Sequence, residues 1–477
     1  MQQPLKCTSA ELQANPQIVF ARLRPLTPVL QRDDGLYVAI RAQDVQQLLV
    51  DPRTRQMETE IATARGVTDG PLLEFLKHTM VLSNGTAHRN RRLPLVQAFA
   101  SRFVQDVRPY ARRVAEQLID ARYDAGAMDV IGDFASWLPA RVICHILELP
   151  ETDIPAFTRC VYSLSRAFNS TFTPDEVPEL QQASGELDAY VRGLIAHRRR
   201  HPREDFITSY IAASDASGQL SQTEVVAQLM SILLAGSDTT RSALAIQTSL
   251  LLQHPEQWQA VCRDSALIPA AVRECLRYQP AVASVPRITL EDVVLDETLV
   301  PAGKILSLST LSALRDPALY AEPEHFDIHR TDAPKRQLVF GGGVHRCLGE
   351  ALAMIELEEG LAAMAQTATG HATRRQSGRG PGWVRHSDGA RLPRQLGQCP
   401  DGLTHRAAKQ PLPIRCSAIT LRCNAAAGLE SIVGVGTRSY GSRRSNGTHP
   451  HATASSDHVR PGRCQPLANT RTSAIVR

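Results

Sequence analysis

The pattern of apolar and polar positions predicts a mainly helical protein. Residues 88–123 and 176–200 carry apolar side chains every three or four positions, the spacing of one face of an α-helix. An extended run over 35–40 precedes a helical pattern over 42–50. A strand-and-turn region follows between residue 282 and about residue 308, whereas 53–70 looks loop-rich. We therefore expect helices to form most of the core, with short strands between them.

The longest predicted helix runs from Ser221 to about Gln253. Ser221 and Glu224 have the spacing of a capping box, and Pro255 ends the pattern. About 32 helical residues make a rod of roughly 48 Å at 1.5 Å per residue. A rod of that length crosses the whole domain, so we predict that this helix is central.

Charge divides the chain near residue 365. Residues 366–477 hold 17 of the 53 Lys and Arg but only 4 of the 48 Asp and Glu, a net charge of +13, which leaves −8 for residues 1–365. All eleven Phe lie in residues 1–365. A segment with so few large apolar residues cannot bury enough surface to offset the entropy of ordering it. We predict a folded domain over 1–365 and a basic, disordered tail over 366–477.

Other features of the composition exclude several classes of protein. The first 20 residues lack the charged and apolar regions of a signal peptide. No stretch approaches the ~20 apolar residues that span a bilayer. The ten cysteines show neither CxxC metal spacing nor a secreted disulfide framework. We expect a cytoplasmic monomer that binds neither membrane nor nucleic acid.

The clearest chemical signal is the segment 340–353, which reads Phe-Gly-Gly-Gly-Val-His-Arg-Cys-Leu-Gly-Glu-Ala-Leu-Ala. Its cysteine, Cys347, follows three glycines, which let backbone turn tightly and approach a flat ligand. The N–H groups at the start of the following helix favour thiolate over thiol. These are the needs of a cysteine that binds iron. For a cysteine taken alone, a buried structural role would be the simpler interpretation.

This segment resembles the haem-binding signature of the cytochromes P-450 and matches every fixed position of Phe-Gly-x-Gly-x-His-x-Cys-x-Gly. The resemblance implies haem b, with Cys347 as the axial iron ligand and His345 as a partner of a haem propionate. A thiolate ligand pushes electron density onto iron and favours O–O cleavage. The resemblance also implies a mainly α fold, a helical prism with a small β-rich lobe.

Two further motifs of the family appear in the expected order. Glu274 and Arg277 match its Glu-x-x-Arg pair, for which the resemblance implies a structural role beside the haem loop; read alone, such a pair is usually a solvated helix face. The family often adds an arginine from the segment 323–326, where this chain has His325.

Residues 235–240, Ala-Gly-Ser-Asp-Thr-Thr, lower helix propensity in mid-helix. They resemble the family's oxygen-activation motif, in which a distorted helix opens a groove over the haem. The resemblance implies that Asp238 and Thr239 are the acid–alcohol pair that delivers protons to oxygen. For these residues taken alone, a turn with Ser or Thr hydroxyls bonded to backbone carbonyls is the simpler interpretation.

The remaining candidates are basic side chains that resemble the family's propionate-binding residues. His88 and Arg92 are four residues apart and share a helix face, and Arg287 follows Val-Pro in a predicted strand. Arginine suits this role because its guanidinium binds carboxylate with two hydrogen bonds. Arg89 and Arg91 are either a solvated face or part of a basic patch for an acidic redox partner.

The resemblance implies a monooxygenase that inserts one atom of O₂ into a small organic, apolar substrate. Electrons would come from NAD(P)H through a reductase and a ferredoxin or flavodoxin, since the chain has no convincing flavin or ferredoxin domain. The stretches 53–81 and 162–173 are predicted to line the pocket without selecting a substrate. Alternatives are a peroxide-driven peroxygenase, against which Asp238 and Thr239 argue, a haem-thiolate gas or redox sensor, and an inactive, degenerate member.

The degenerate alternative arises from residues 366–477, which depart from the family. The resemblance predicts a short β-rich end after residue 364, and the sequence there offers a basic segment with little periodicity. A natural basic tail drawn to acidic partners is one explanation. We favour a frameshift near residue 365, because the expected terminal strands are missing and not merely followed by an extension.

Overall fold

A computed structural model of the chain describes residues 2–99, 107–125, 127–168, 172–334 and 336–368. The prediction for the tail, 366–477, falls outside the described residues from position 369 onward. The described residues form sixteen α-helices and eight strands. The mainly helical architecture with a small β lobe is therefore confirmed.

The helices, in chain order, are α1 (Ser9–Ala14), α2 (Pro16–Leu23), α3 (Ala42–Leu48), α4 (Glu60–Ala64), α5 (Gly70–His78), α6 (Gly85–Phe99), α7 (Val107–Tyr123), α8 (Leu138–Ile146), α9 (Ile154–Phe168), α10 (Val177–Arg200), α11 (Phe206–Ser217), α12 (Gln222–Gln253), α13 (Pro255–Arg263), α14 (Ile268–Tyr278), α15 (Thr310–Ala313) and α16 (Glu350–Ala368). A π-helical stretch (Val130–Ala135) precedes α8. The periodic stretch 88–123 is thus two helices, α6 and α7.

The strands form the small lobe. They are β1 (Leu5–Cys7), β2 (Val29–Arg32), β3 (Tyr37–Ala39), β4 (Thr54–Gln56), β5 (Val285–Thr289), β6 (Val293–Leu295), β7 (Thr298–Val300) and β8 (Ile305–Leu308). A six-stranded mixed sheet has the order β1-β2-β3-β8-β5-β4, and β6 pairs with β7 as an antiparallel hairpin. The antiparallel pairing of β4 with β5 sets Gln56 opposite Arg287. Two strands far apart in sequence thereby meet at one edge of the sheet.

The predicted central helix is confirmed as α12. The Ser221 hydroxyl accepts a hydrogen bond from the Glu224 N–H at 3.2 Å, and the Glu224 carboxylate accepts one from the Ser221 N–H at 2.9 Å, which completes the capping box. Most of its side chains are buried, and α12 contacts several other helices, including α8, α9, α10 and α16. The largest apolar cluster lies among these helices, and two smaller clusters lie about the sheet.

Candidate active site

The loop that precedes α16 is shaped by its three glycines. Gly341 and Gly343 have φ angles of +72° and +59°, a region that L side chains rarely adopt. The loop also lies against the end of α3. A Cβ atom on Gly343 would be 2.7 Å from Cγ1 of Val50, and one on Gly342 would be 3.3 Å from the Leu49 side chain. Backbone conformation and close packing therefore both require glycine here.

Cys347 lies at the end of this loop, three residues before α16. Its N–H donates to the Phe340 carbonyl at 2.8 Å, which closes the loop. Solvent reaches the side chain, yet desolvation within the protein raises the pKa of the thiol. The two observations agree if the sulfur opens into an internal recess and not onto the outer surface.

The surroundings of Cys347 act in both directions on the pKa of its thiol. The Gly349 N–H and the positive charges of Arg92 and Arg346 do lower the thiol pKa, but burial outweighs them and the net direction is upward. The loop alone does not ionise the sulfur. A coordinated iron ion would, because a metal-bound thiol is deprotonated outright.

Four basic side chains from α6, β5 and the loop itself lie close together. The ring of His88, on α6, lies 4.0 Å from the ring of His345, centroid to centroid. Arg92 is one helical turn beyond His88, and its Nη2 donates to the Arg346 carbonyl at 2.7 Å. The charges of Arg92 and Arg287 both act on His345. The predicted residues His88, Arg92, Arg287 and His345 thus form one cluster.

This basic cluster lacks an anion in the described part of the chain. Neither Arg92 nor Arg287 pairs with a described carboxylate, and the buried Nε2 atom of His88 has no described hydrogen-bond partner. Burial, followed by neighbouring positive charges, lowers the pKa of His88 to about 4 and that of His345 to about 3. Burial also lowers the pKa of Arg287 to about 10. A ligand with two carboxylates would supply the missing charge, so the residues present fit haem b.

Gln56 is a member of this cluster that the sequence analysis missed. Its side-chain oxygen accepts a hydrogen bond from Nη1 of Arg287, and its backbone N–H donates to Oδ1 of Asn84 at 2.8 Å. The only signal for it is the pairing of β4 with β5, which joins residues more than 200 positions apart.

Arg91 does not belong to an exposed basic patch, because it is buried and pairs with Glu224 at 2.9 Å. Arg89 is exposed.

The middle of α12 is open on one side. Ala235 and Thr239, one helical turn apart, are exposed although the helix around them is buried. The Thr239 hydroxyl donates to the Ala235 carbonyl at 3.2 Å. Asp238 is only 8% exposed, and its Oδ1 lies 2.6 Å from Nη2 of Arg241. Side chains exposed in the middle of a buried helix must face an internal space.

The helix assignment is continuous through residues 235–240, and Ala235 and Gly236 contribute little side-chain volume there. Gly236 serves packing, since a Cβ there would be 3.1 Å from Cδ1 of Ile143 on α8. Ala235 and Thr239 on α12 and Cys347 on the loop before α16 are therefore solvent-accessible positions of the candidate site.

Glu274 and Arg277 form a buried ion pair on α14. Nε and Nη2 of Arg277 donate to the two carboxylate oxygens of Glu274 at 2.7 and 2.8 Å. The remaining Arg277 donors bind three backbone carbonyls, those of Leu314, Pro323 and His325. Nε of Arg330 lies 3.3 Å from Glu274, so the arginine missing from position 325 is supplied five residues later. That nitrogen makes an ion pair without hydrogen-bond geometry.

A family profile, curated relatives and solved structures all match this chain to the same protein family. The family profile described as Cytochrome P450 matches residues 157–369. The plant-inducible cytochrome P450-pinF1 of Rhizobium radiobacter is 43% identical over 350 residues, which cover 73% of this chain and 83% of that protein. The vitamin D(3) 25-hydroxylase of Pseudonocardia autotrophica is 32% identical over 72% of this chain and 83% of its own. The structure of P450BioI with an acyl carrier protein ligated to hexadec-9Z-enoic acid superimposes with a TM-score of 0.69 and 27% identity, over 75% and 92% of the two chains.

Fold, site and relatives together define a haem-thiolate monooxygenase. The chain belongs to the cytochrome P450 family, whose members bind haem b through a cysteine thiolate. None of the helices in the described part of the chain is both long enough and apolar enough to cross a membrane.

Proposed function

We propose that the protein hydroxylates or epoxidises a small, apolar organic molecule. For hydroxylation the balance is R–H + O₂ + NAD(P)H + H⁺ → R–OH + NAD(P)⁺ + H₂O. Haem bound through Cys347 would supply O₂ activation and electron storage. The observation that carries this proposal is the exposure of Cys347, and of Ala235 and Thr239 in the middle of a largely buried helix.

His88, Arg92, Arg287 and His345 would hold the haem propionates. The cluster is rich in hydrogen-bond donors and has no described counter-charge. Carboxylates here would bind by charge-assisted hydrogen bonds, the stronger kind. Arg92 would also stabilise the loop that holds Cys347, since it donates a hydrogen bond to the carbonyl of the preceding residue, Arg346.

Asp238 and Thr239 would be the acid–alcohol pair. Thr239 is exposed, and its hydroxyl proton, here donated to the Ala235 carbonyl, would turn toward the haem side on rotation of the side chain, while Asp238 is adjacent and nearly buried. A positioned acid typically accelerates a proton transfer by about 10²–10⁴-fold. Glu274 and Arg277 would have a structural role, because their contacts join α14 to the backbone before the Cys347 loop.

The electron donor would be a small ferredoxin or flavodoxin supplied by a separate reductase. The surface near the Cys347 loop carries an exposed Arg89 together with exposed Leu93 and Val344, which suits an acidic partner with an apolar contact. An organic substrate is supported by relatives named as a vitamin D(3) 25-hydroxylase and a mycinamicin IV hydroxylase/epoxidase. We propose that residues 1–365 form the catalytic domain of a cytoplasmic monomer.

The test uses two variants of α12 and a matched control. Purified holoenzyme is supplied with NADPH through a plant ferredoxin and its reductase, with 7-ethoxycoumarin as the probe. Thr239→Ala should still consume NADPH but release much of the oxygen as H₂O₂, and Asp238→Asn should slow turnover and lower the product formed per NADPH, because proton delivery is impaired in both. Thr248→Ala is the control, since that threonine is buried and back-bonded two turns further along the same helix.

Unchanged product per NADPH in both variants would contradict the acid–alcohol role and favour a sensor or a peroxide-driven route. Absence of product from the wild-type enzyme, with haem correctly bound, would favour the degenerate alternative. A wild-type enzyme that forms product with H₂O₂ alone, at a rate matching NADPH, would identify a peroxygenase.

A further inference from the structure

Asp238 is bound by an arginine of its own helix. Arg241 lies three residues further along α12, and its Nη2 is 2.6 Å from Oδ1 of Asp238. Both side chains are largely buried. Ion pairs at this spacing are weak on an exposed helix, but the reduced screening here makes the Asp238–Arg241 contact stronger.

Arg241 is itself held by a ring from another helix. Its guanidinium carbon lies 4.2 Å from the ring centroid of Tyr162, on α9. The Tyr162 hydroxyl donates to the Ser136 carbonyl at 2.7 Å, which fixes the ring in place. Burial raises the pKa of Tyr162 to about 12, so the phenol keeps that proton at neutral pH. Nε of Arg241 is buried with no hydrogen-bond partner in the described structure.

These contacts form a chain of three side chains that runs from α9 to the middle of α12. Arg241 has Asp238 on one side and the Tyr162 ring on the other. A guanidinium over an aromatic face is attracted by the ring quadrupole, and the attraction grows when the pair is removed from water. If the ring moves, Arg241 loses one of its two supports, and Asp238 loses its fixed partner.

We propose that Arg241 is a positioning residue for Asp238, and that its stack on Tyr162 couples this acid to α9. The proposal rests on the proton-delivery role proposed for Asp238. Tyr162 begins the stretch 162–173 that we expect to line the substrate pocket, and α9 packs directly on α12. A substrate that displaces α9 would therefore change the position of Asp238 through Tyr162 and Arg241.

The first test measures how oxygen is partitioned. With the same ferredoxin system and 7-ethoxycoumarin, Arg241→Gln and Tyr162→Leu should each raise the ratio of H₂O₂ to product by about tenfold, less than the about 10²–10⁴-fold that a positioned acid contributes, because Asp238 is displaced and not removed. Tyr162→Phe keeps the ring, and Arg241→Lys keeps the charge, so both should recover much of the wild-type ratio. For Arg241→Gln, the dissociation constant of 7-ethoxycoumarin, read from the haem spin-state shift, should change by less than about twofold.

The second test needs no turnover. Urea midpoints of holoenzyme are compared for Arg241→Gln, Tyr162→Leu and the double variant. Because the two substitutions remove the same contact, the double variant should lose less stability than the two losses added together. Arg159→Gln is the control, since Arg159 ties α9 to α10 through Glu186 and does not reach α12; its effect should add to that of Arg241→Gln.

The outcomes separate the two proposals. Additive losses for Arg241→Gln and Tyr162→Leu would overturn the coupling to α9. If Asp238→Asn raises the peroxide ratio but Arg241→Gln does not, the positioning role is wrong while the proposed function stands. If Asp238→Asn itself leaves the ratio unchanged, the acid role fails, and the positioning role fails with it.

Discussion

Replacing Arg277 by methionine would test how the core near the Cys347 loop is held together. Methionine has a similar length and no charge, so the substitution removes the donors and leaves most of the volume. Glu274 is 4% and Arg277 2% exposed. The variant therefore leaves a buried carboxylate whose remaining contacts are the Asp327 N–H at 2.8 Å and Arg330 at 3.3 Å.

The expected loss of stability follows from those contacts. Breaking a buried ion pair by removing one partner costs about 3–5 kcal/mol. Three backbone carbonyls also lose a donor, at about 1 kcal/mol each where water cannot replace it. The sum is comparable to the whole stability of an ordinary domain, about 5–15 kcal/mol. We therefore expect Arg277→Met to retain little folded holoenzyme.

The assay is urea unfolding of holoenzyme, followed by haem absorbance and circular dichroism. The double variant Glu274→Gln/Arg277→Met also removes the negative charge of the buried Glu274 carboxylate, so it should be more stable than Arg277→Met alone. Arg108→Met is the matched control, because Arg108 also binds two carboxylates, Glu358 and Glu359, but its side chain is 48% exposed; it should cost at most about 1 kcal/mol. Equal losses for Arg277→Met and Arg108→Met would refute the reasoning.

Three further predictions concern single residues. Glu356 is fully buried without a described partner, and burial raises its pKa well above the usual range. The folded state thus holds a proton that the unfolded state releases above about pH 4.3, so this residue's contribution to stability falls as pH rises. Glu356→Gln should stabilise the holoenzyme at pH 8 and less so at pH 5 in urea unfolding, whereas exposed Glu204→Gln should do neither. Gly343→Ala should lower haem content more than Gly303→Ala, because both glycines have positive φ but only Gly343 has a neighbour that a Cβ would meet. Arg287→Gln should speed haem transfer to apomyoglobin severalfold, since a buried charged partner of a propionate is lost; an unchanged rate would exclude that contact.

The parts of the fold that were predictable have local causes. The bounds of α12 follow from a capping box at Ser221 and a proline after its last turn, both of which act within a few residues. The Cys347 loop was visible because positive φ angles restrict Gly341 and Gly343 to one residue type. The pairing of Glu274 with Arg277 needs only a helix and a spacing of three.

What the sequence did not reveal depends on contacts between distant segments. Residues 53–70 looked loop-rich because β4 is a strand only through its pairing with β5. Gln56 joins the basic cluster by the same pairing. Position 325 is a histidine, and Arg330 makes the ion pair with Glu274 in its place. Arg330 is held there by hydrogen bonds to the backbone carbonyls of Ala321 and His325, contacts that a motif of four residues does not include. The burial that raises the pKa of the Cys347 thiol likewise depends on distant segments and is not encoded in the motif.

The central claim is that Cys347 is the thiolate ligand of a haem, and one spectrum tests it. Reduced protein exposed to CO should show the strongly red-shifted Soret band of thiolate-ligated haem. Cys347→Ser should abolish that band, and Cys275→Ser, which alters a buried cysteine on α14, should retain it. A Cys347→Ser protein that binds haem and still shows the red-shifted band would contradict the account.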